Sequence, residues 1–104
     1  MTDFDHARID EAIHGSRLRI ALMALLAHVN SAVFTELRDL TKSTDGNVCI
    51  HMRKLEDAGY VKSAKLAVGL RHVTNYVITP KGRKAFAAYM NTLLDLVGKG
   101  RVES

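Results

Sequence analysis

Apolar positions recur at helical spacing in several stretches of the chain and alternate loosely in one region beyond its middle. Between residues 16 and 28, for example, Leu18, Leu22 and Leu26 recur every four residues, as they do on the buried face of a helix. Alternation on both sides of a glycine, from residue 60 to residue 79, predicts a β-hairpin. The whole pattern predicts, in chain order, helix, helix, short strand, helix, helix, hairpin and helix.

Polar residues and glycines predict where these elements begin and end. Gly15 is expected to end the first helix in a left-handed conformation, and Ser16 to cap the second helix. Thr35 is expected to cap the third helix, and Gly98 to stop the last helix, which begins at Pro80. The predicted helices cover about 4–14, 16–28, 36–40, 45–58 and 80–98. A short strand over 32–34 is expected to pair with the later hairpin, whose strands 60–66 and 72–79 meet at Gly69.

The fourth predicted helix has one apolar side and one polar side. Val48, Met52 and Leu55 fall together on a helical wheel and are expected to face the core. The opposite side carries Gly46, Asn47, Ile50, Arg53, Lys54 and Asp57. A short basic helix that is followed at once by a basic hairpin is typical of a winged helix-turn-helix, which presents a recognition helix and a wing to DNA. We therefore predict a mainly α fold with a small β-hairpin, with the helix-turn-helix at about 35–58 and the wing at about 60–79.

Length and composition predict one globular domain, 1–104. The chain has 104 residues, of which 47% are hydrophobic and 25% charged. The longest apolar run, from Ile20 to Ala27, is too short to span a membrane, and no signal peptide is recognisable. A single cysteine, Cys49, excludes an internal disulfide framework and a cysteine-based zinc site. We expect a cytoplasmic protein.

Basic residues concentrate in the middle of the chain, although the net charge is only +4. Residues 42–84 hold nine Lys or Arg against three Asp or Glu, whereas residues 1–41 hold four against six. Positive charge therefore lies where the recognition helix and the wing are predicted, which favours a polyanionic partner such as double-stranded DNA. The alternative interpretation is a solvated basic surface.

In the predicted complex, the N-terminal half of the exposed helix face enters the major groove. Asn47 can pair with adenine through two hydrogen bonds, and Ile50 offers an apolar contact to a thymine methyl group. The candidates for reading bases are Asp45, Gly46, Asn47, Ile50, His51 and Lys54. The candidates for contacts to the DNA backbone are Thr35, Lys42, Ser43, Thr44, Arg53, Lys62, Lys65, Arg71 and His72.

An apolar stripe on the last helix predicts self-association. The stripe consists of Phe86, Met90, Leu93, Leu94 and Val97, and the first helix adds Phe4, Ile9 and Ile13. A domain of this size does not need the whole stripe for its own core, so we expect these two helices to pair across a two-fold axis in a homodimer. The alternative is that both stripes pack within one monomer.

The sequence offers little chemistry beyond binding. No glycine-rich phosphate loop, nucleophile elbow or His-Glu metal motif is present, and the five histidines have no pair at a metal-ligand spacing. We therefore expect no enzymatic activity, no cofactor and no bound metal. Cys49, beside the exposed face of the fourth helix, is a candidate redox switch, although a lone cysteine is more often a packing residue.

Five runs of the chain together resemble a known family. They are Ile13–Ile20, Phe34–Leu37, Asp45–Val48, His51–Val61 and Thr79–Arg83, and the likeness covers most of residues 9–90. The chain resembles the small stand-alone winged-helix transcriptional regulators related to the MarR and ArsR groups. The resemblance implies a dimeric bacterial or archaeal DNA-binding regulator, usually a repressor.

The chain also departs from those regulators. They often carry several arginines and a proline around the glycine at the wing tip, where this chain has Gly69-Leu70-Arg71-His72-Val73. They tend to have a polar or basic residue where Ile50 stands, so the target sequence of this chain need not match theirs. The metal-binding cysteines of the ArsR group and an effector domain of MarR size are absent.

Two other functions stay open at this point. The exposed Ile50 and the basic face fit a winged-helix protein–protein interaction module that docks an acidic partner without specific DNA binding. An unknown small-molecule effector, held between the dimerisation helices and the DNA-binding core, is compatible with the regulator. A steep dependence of binding on salt would favour DNA over a protein partner.

Overall fold

Within the part of the chain that the structure describes, the fold consists of five α-helices and a three-stranded antiparallel sheet. The computed structural model of the protein describes residues 9–100, without the side chains of residues 97, 99 and 100. The elements are α1 (Glu11–His14), α2 (Arg17–Val29), β1 (Ser31–Val33), α3 (Phe34–Thr41), α4 (Asp45–Asp57), β2 (Val61–Val68), β3 (Arg71–Ile78) and α5 (Pro80–Gly100). This order confirms the predicted order of elements. Among the described residues, no helix is both long enough and apolar enough to cross a bilayer.

Helix α1 begins later than predicted. Asp10 has an extended backbone, and its carboxylate accepts hydrogen bonds from the N–H groups of Ala12 and Ile13 at 2.9 and 3.4 Å. An aspartate that caps a helix in this way stands outside it, so the prediction of one continuous helix over about 4–14 is wrong at Asp10. Phe4 lies outside the described residues.

The junction between α1 and α2 combines a confirmed prediction with a wrong one. Ser16 Oγ accepts hydrogen bonds from the N–H groups of Leu18 and Arg19, which confirms it as the cap of α2. Gly15, however, has a right-handed backbone with φ −63° rather than the predicted left-handed one. Space requires the glycine here, because a Cβ atom would lie 2.8 Å from the carbonyl oxygen of Glu11.

Helix α3 begins one residue before the predicted cap. Thr35 is the second residue of α3, and Val33 stands at the cap position. Glu36 explains the difference, since its Oε1 atom accepts the Val33 N–H at 3.0 Å and so satisfies a donor that the helix cannot. Thr35 is therefore an exposed residue of the first turn.

Strand β2 is longer than predicted, β3 has the predicted length but begins one residue earlier, and the two meet in a tighter turn. They pair from Val61 opposite Ile78 to Val68 opposite Arg71, which leaves two residues, Gly69 and Leu70, to connect them. Gly69 adopts a φ of +62°, a conformation that glycine takes without strain. Strand β1 pairs with β3, as predicted, so the strand order is β1-β3-β2.

The core lies between the helices and the inner end of the sheet. Its fully buried residues are Ile13, Leu22, Met23, Leu26, Leu37, Val48, Met52 and Leu55, with Tyr89 nearly so. The three residues from α4 confirm the predicted core-facing side of that helix. Beyond Val61 the side chains of β2 are exposed, so the hairpin projects away from this core.

A polar junction joins the end of α4 to the start of α5. The Thr79 hydroxyl donates to the carbonyl oxygen of Gly59 at 2.7 Å and accepts the Gly82 N–H at 2.9 Å. Gly82 itself packs directly against the backbone of Tyr60. From this anchor α5 continues through Gly98, where the sequence predicted a stop, because one glycine in a long helix costs only about 1 kcal/mol.

Candidate nucleic-acid interface

The exposed face of α4 carries most of the residues predicted to read bases. Gly46, Asn47, Ile50, Arg53 and Lys54 are all exposed, on the side of the helix opposite its buried residues. Ile50 has 55% of its surface exposed and, with Arg53 and Lys54, lines a shallow cleft of about 310 Å³. Cys49 is exposed and also lines this cleft. The face presents hydrogen-bonding, apolar and cationic groups within about three turns of one helix.

Internal contacts position the start of α4. Thr44 caps the helix, with its Oγ1 atom accepting the N–H of Asn47 at 3.2 Å. The carboxylate of Asp45 accepts a hydrogen bond from Arg38 of α3 at 2.8 Å. The hydroxyl of Ser43 donates to the carbonyl oxygen of Thr41 at 3.3 Å. Asp45, a base-reading candidate, thus has a cationic partner within the protein.

His51 differs from the other base-reading candidates because it contacts a buried arginine. Arg19 of α2 has only 7% of its surface exposed. Its Nε donates to the carbonyl oxygen of Ala12 at 2.7 Å, and its Nη1 donates to His51 Nδ1 at 2.9 Å. Arginine only donates hydrogen bonds, so His51 Nδ1 must be the acceptor and carry no proton. Burial lowers the pKa of His51, and the charges of Arg19 and Lys54 lower it further.

This contact predicts that the protein loses stability as the pH falls. The pKa of His51 in the folded chain lies below its ordinary value of 6.5, so between the two values the unfolded chain binds the extra proton. The free energy of unfolding should therefore decrease as the pH is lowered through that window. In His51→Asn, an amide oxygen replaces Nδ1 as acceptor and nothing titrates, so the decline should be shallower. Urea titrations from pH 7.5 to 5 measure it.

The matched control for this prediction is His28→Asn, which removes an exposed imidazole from α2. A decline in His51→Asn as steep as that of the unmodified chain would contradict the prediction. Sequence reasoning missed Arg19, although the spacing of Arg19, Leu22 and Leu26 already places it on the buried side of α2.

The wing and the start of α3 form a second group of predicted contacts. Thr35, Arg71 and His72 line one cleft of about 280 Å³, together with Phe34, Val73 and Thr74. Lys65 Nζ donates to the Thr74 hydroxyl at 3.0 Å, on the same face of the hairpin as His72. Lys62 is exposed nearer the base of the wing, and Lys42 is exposed with a φ of +54° in the turn before α4. Three of the backbone candidates are thus neighbours in space.

The charge of this region has one sign over a long stretch. Residues 58–94 contain no Asp or Glu, and they include Lys62, Lys65 and Arg71 of the hairpin. The nearest acids before that stretch are Glu56 and Asp57 on α4. A surface with this composition attracts polyanions and repels positively charged partners.

The predicted dimer residues divide between the core and the surface. Ile13 is fully buried within one chain, and Ile9, Phe86 and Leu93 pack against the core. Ile13 therefore belongs to the core rather than to an interface. Met90 and Leu94, which are one turn apart on α5, stay 38% and 64% exposed. Phe4 and the side chain of Val97 lie outside what the structure describes.

Helix α1 and its capping residue make polar contacts to Tyr60, which follows α4, and to Tyr89 of α5. Its cap, Asp10, accepts a hydrogen bond from the Tyr60 hydroxyl at 2.5 Å. Its last residue, His14, lies 2.6 Å from the Tyr89 hydroxyl of α5 through Nδ1. Burial, with the contact to Asp10, raises the pKa of Tyr60 to about 12. Since Arg19 also bonds to Ala12, α1 contacts α5 directly and α4 through Arg19 and His51.

A wider cleft of about 790 Å³ lies between α2 and the turn that precedes α4. Leu18, Ala21 and Leu25 contribute apolar walls, and Asn47 and His51 stand at the side of α4. This is not the position between the dimerisation helices and the core where the effector is expected. The effector site remains a prediction.

Comparisons with known proteins agree with this geometry. Residues 18–97 match the protein family described as "Winged helix DNA-binding domain". An uncharacterized protein of Methanocaldococcus jannaschii is 37% identical over 84 residues, which are 81% of this chain and 91% of that protein.

Solved structures show the same fold. A transcriptional regulator homologue from Pyrococcus horikoshii OT3 superposes with a TM-score of 0.83 at 25% identity, over 92% of this chain and 95% of that one. An ArsR family transcriptional regulator has a TM-score of 0.61 at 21% identity, over 88% of this chain and 94% of that one. The predicted resemblance and the predicted fold class are confirmed.

Proposed function

The chain belongs to the family of winged helix DNA-binding domains, and on this premise we propose that it is a sequence-specific regulator of transcription. In this proposal the protein acts in the cytoplasm as a homodimeric repressor and has no catalytic activity. One observation carries it: Asn47 and Ile50 are exposed among cations on the face of α4 opposite its buried side. Repression would follow if the bound dimer occupied a promoter.

The proposed complex places the N-terminal half of α4 in the major groove, which is about 12 Å wide and admits a helix. Asn47 is then close to base edges, and its side-chain amide can form two hydrogen bonds with adenine. Ile50, one turn further, offers a methyl contact to thymine. Arg53 and Lys54 lie further from the tip of the helix and approach guanine or phosphate groups.

Contacts to the DNA backbone would hold this orientation. The cleft between the wing and α3 presents Thr35, Arg71 and His72 together, which suits a phosphate group. Lys42 in the turn and Lys62 and Lys65 in the wing add positive charge on either side. These contacts supply affinity without sequence preference, so binding should weaken steeply as salt rises.

The proposed homodimer uses α5. Met90 and Leu94 are apolar, exposed and one turn apart, and continue the surface of Phe86 and Leu93 on the same helix. Pairing of two such helices would remove the exposed apolar groups from water. A two-fold axis there allows two copies of α4 to reach successive major grooves, about 34 Å apart.

A second function deserves a test because of Ile50. An exposed β-branched side chain among cations also suits docking to an acidic protein. The two functions differ in their response to salt and in their preference among DNA sequences. Binding to DNA by several phosphate contacts gives a steep log–log salt slope, and a regulator prefers one duplex over another.

Two substitutions on α4 should separate base reading from charge. Asn47→Ala should reduce the preference for the operator by about 5- to 150-fold for each half-site, since a bidentate base contact contributes about 1–3 kcal/mol of discrimination. Lys54→Ala should weaken binding to all duplexes alike and lower the salt slope by about two, since each subunit of the proposed homodimer loses one phosphate contact. Fluorescence titration of a duplex from the gene's own upstream region, against a scrambled duplex at two salt concentrations, measures both.

Lys84→Ala on α5 is the matched control for charge, because Lys84 is exposed and belongs to neither α4 nor the wing. It should leave the preference between the duplexes unchanged. Equal losses on both duplexes for Asn47→Ala would remove Asn47 as a reader of sequence. Weak binding of the unmodified protein, equal on both duplexes, would instead favour the protein-interaction module.

A further inference from the structure

The tip of the wing carries an apolar side chain that the fold does not use. Leu70 is 103% exposed, more than any other large hydrophobic residue that the structure describes. It occupies the second position of the two-residue turn, after Gly69 with φ +62°. A turn of this kind requires glycine at its first position and commonly has a polar residue at its second. Neither turn geometry nor core packing therefore explains a leucine here.

The surroundings of Leu70 are both apolar and basic. Leu66 and Val68, on one face of β2, are also exposed, so that two apolar groups lie within the last three rungs of the hairpin, close to Leu70 in the turn. Arg71 and His72 follow directly in β3, and no Asp or Glu occurs within residues 58–94. A partner of this tip must therefore offer an apolar surface flanked by negative charge.

The minor groove of DNA combines these two features. Its walls are deoxyribose rings, its floor is formed by base edges, and phosphates line both rims. Proteins that bind this groove insert leucine and similar residues between base steps and kink the duplex. The hairpin has the necessary reach, since eight residues of β2 extend for roughly 26 Å at about 3.3 Å per residue.

We propose that Leu70 is a minor-groove wedge, which enters the groove beside the major groove that α4 occupies while Arg71 and His72 hold the adjacent phosphates. This inference rests on the proposed DNA-binding function and adds to it a second mode of sequence reading. The wedge selects for ease of deformation, so the step beneath it should be a flexible pyrimidine–purine step. The operator is therefore bent in the complex.

The test compares Leu70→Asn with Leu70→Met. Asparagine suits a turn and removes the apolar group, whereas methionine keeps an apolar chain of similar size. Titration of an operator duplex labelled at both ends reports affinity and, through energy transfer between the labels, the bend. Leu70→Asn should lose about tenfold in operator affinity and most of the bend, and Leu70→Met should retain both.

The operator supplies a matched control. Replacing the flexible step beneath the wing by a stiff A-tract should weaken the unmodified protein but change little for Leu70→Asn. If Leu70→Asn binds and bends the operator as the unmodified protein does, the wedge is overturned while the proposed function stands. If the unmodified protein shows no preference for its own duplex, both are overturned. If Leu70→Asn changes the molar mass in light scattering and leaves the bend intact, the tip packs on a second copy and the wedge is again overturned.

Discussion

Replacing Gly82 by alanine is expected to lower the free energy of unfolding by about 3 kcal/mol or more. A Cβ atom at this position would lie 2.9 Å from the carbonyl carbon of Tyr60 and 3.0 Å from its Cα, and closer still to its carbonyl oxygen. Backbone cannot move aside as a flexible side chain does, so α5 must shift away from the end of α4. For a domain of this size the loss corresponds to a fall in melting temperature of roughly 15 °C.

Gly98→Ala is the matched control, because it makes the same change in the same helix with no atom within 4 Å of the new Cβ. It should be neutral or stabilise by up to about 1 kcal/mol, as alanine does in a helix interior. Urea denaturation followed by circular dichroism, at one protein concentration, measures both variants. A Gly82→Ala variant within about 0.5 kcal/mol of the unmodified protein would show that the junction at Thr79 yields easily.

Local patterns were enough to predict the elements and the exposed face of α4. Burial of Val48, Met52 and Leu55 follows from helical spacing within a single segment, and Ser16 caps α2 because the N–H groups that donate to its hydroxyl lie two and three residues further on. Interactions of this range depend little on how distant segments pack. The faces of α4 could therefore be assigned before the fold was known.

The predicted start of α3 and the predicted end of α5 were wrong, because neighbouring residues outweigh the usual preference of the residue type. Thr35 is the common type of capping residue, but the Glu36 side chain satisfies the Val33 N–H and moves the start of α3. Gly98 is a common stop signal, yet α5 continues through it. In both cases a residue-type preference of about 1 kcal/mol is smaller than what the surrounding structure contributes.

The pairing of β1 with the hairpin was predicted, but side-chain contacts between distant segments were beyond sequence reasoning. Arg19 and His51 are 32 residues apart, and Tyr89 meets His14 across 75. The cleft that joins Thr35 to Arg71 exists because β1, immediately before α3, pairs with β3. Periodicity predicts which side of an element is buried but does not say which neighbour covers it. The candidate site could thus be predicted as a set of residues, and its polar links to α1 could not.

Replacing Leu94 by glutamate is expected to convert the protein to a monomer and to weaken operator binding by about 100-fold or more. Leu94 is 64% exposed, so the charge costs little in an isolated chain. In the proposed homodimer the same carboxylate would be buried against the partner's apolar helix, which is strongly unfavourable. Losing the second half-site removes the gain that linked sites provide, which is about 10²- to 10⁴-fold. Light scattering and operator titration measure the two effects.

The added negative charge would itself repel DNA, so the control must carry it as well. Ala88→Glu places a carboxylate on α5 at an exposed position on the opposite side of the helix from the stripe of Met90 and Leu94. It should remain a dimer and lose only the few-fold affinity that one extra charge costs. A monomeric but fully folded Leu94→Glu variant that still binds the operator as tightly as Ala88→Glu would separate DNA reading from dimerisation. A variant that stays dimeric would place the interface elsewhere than on the exposed face of α5.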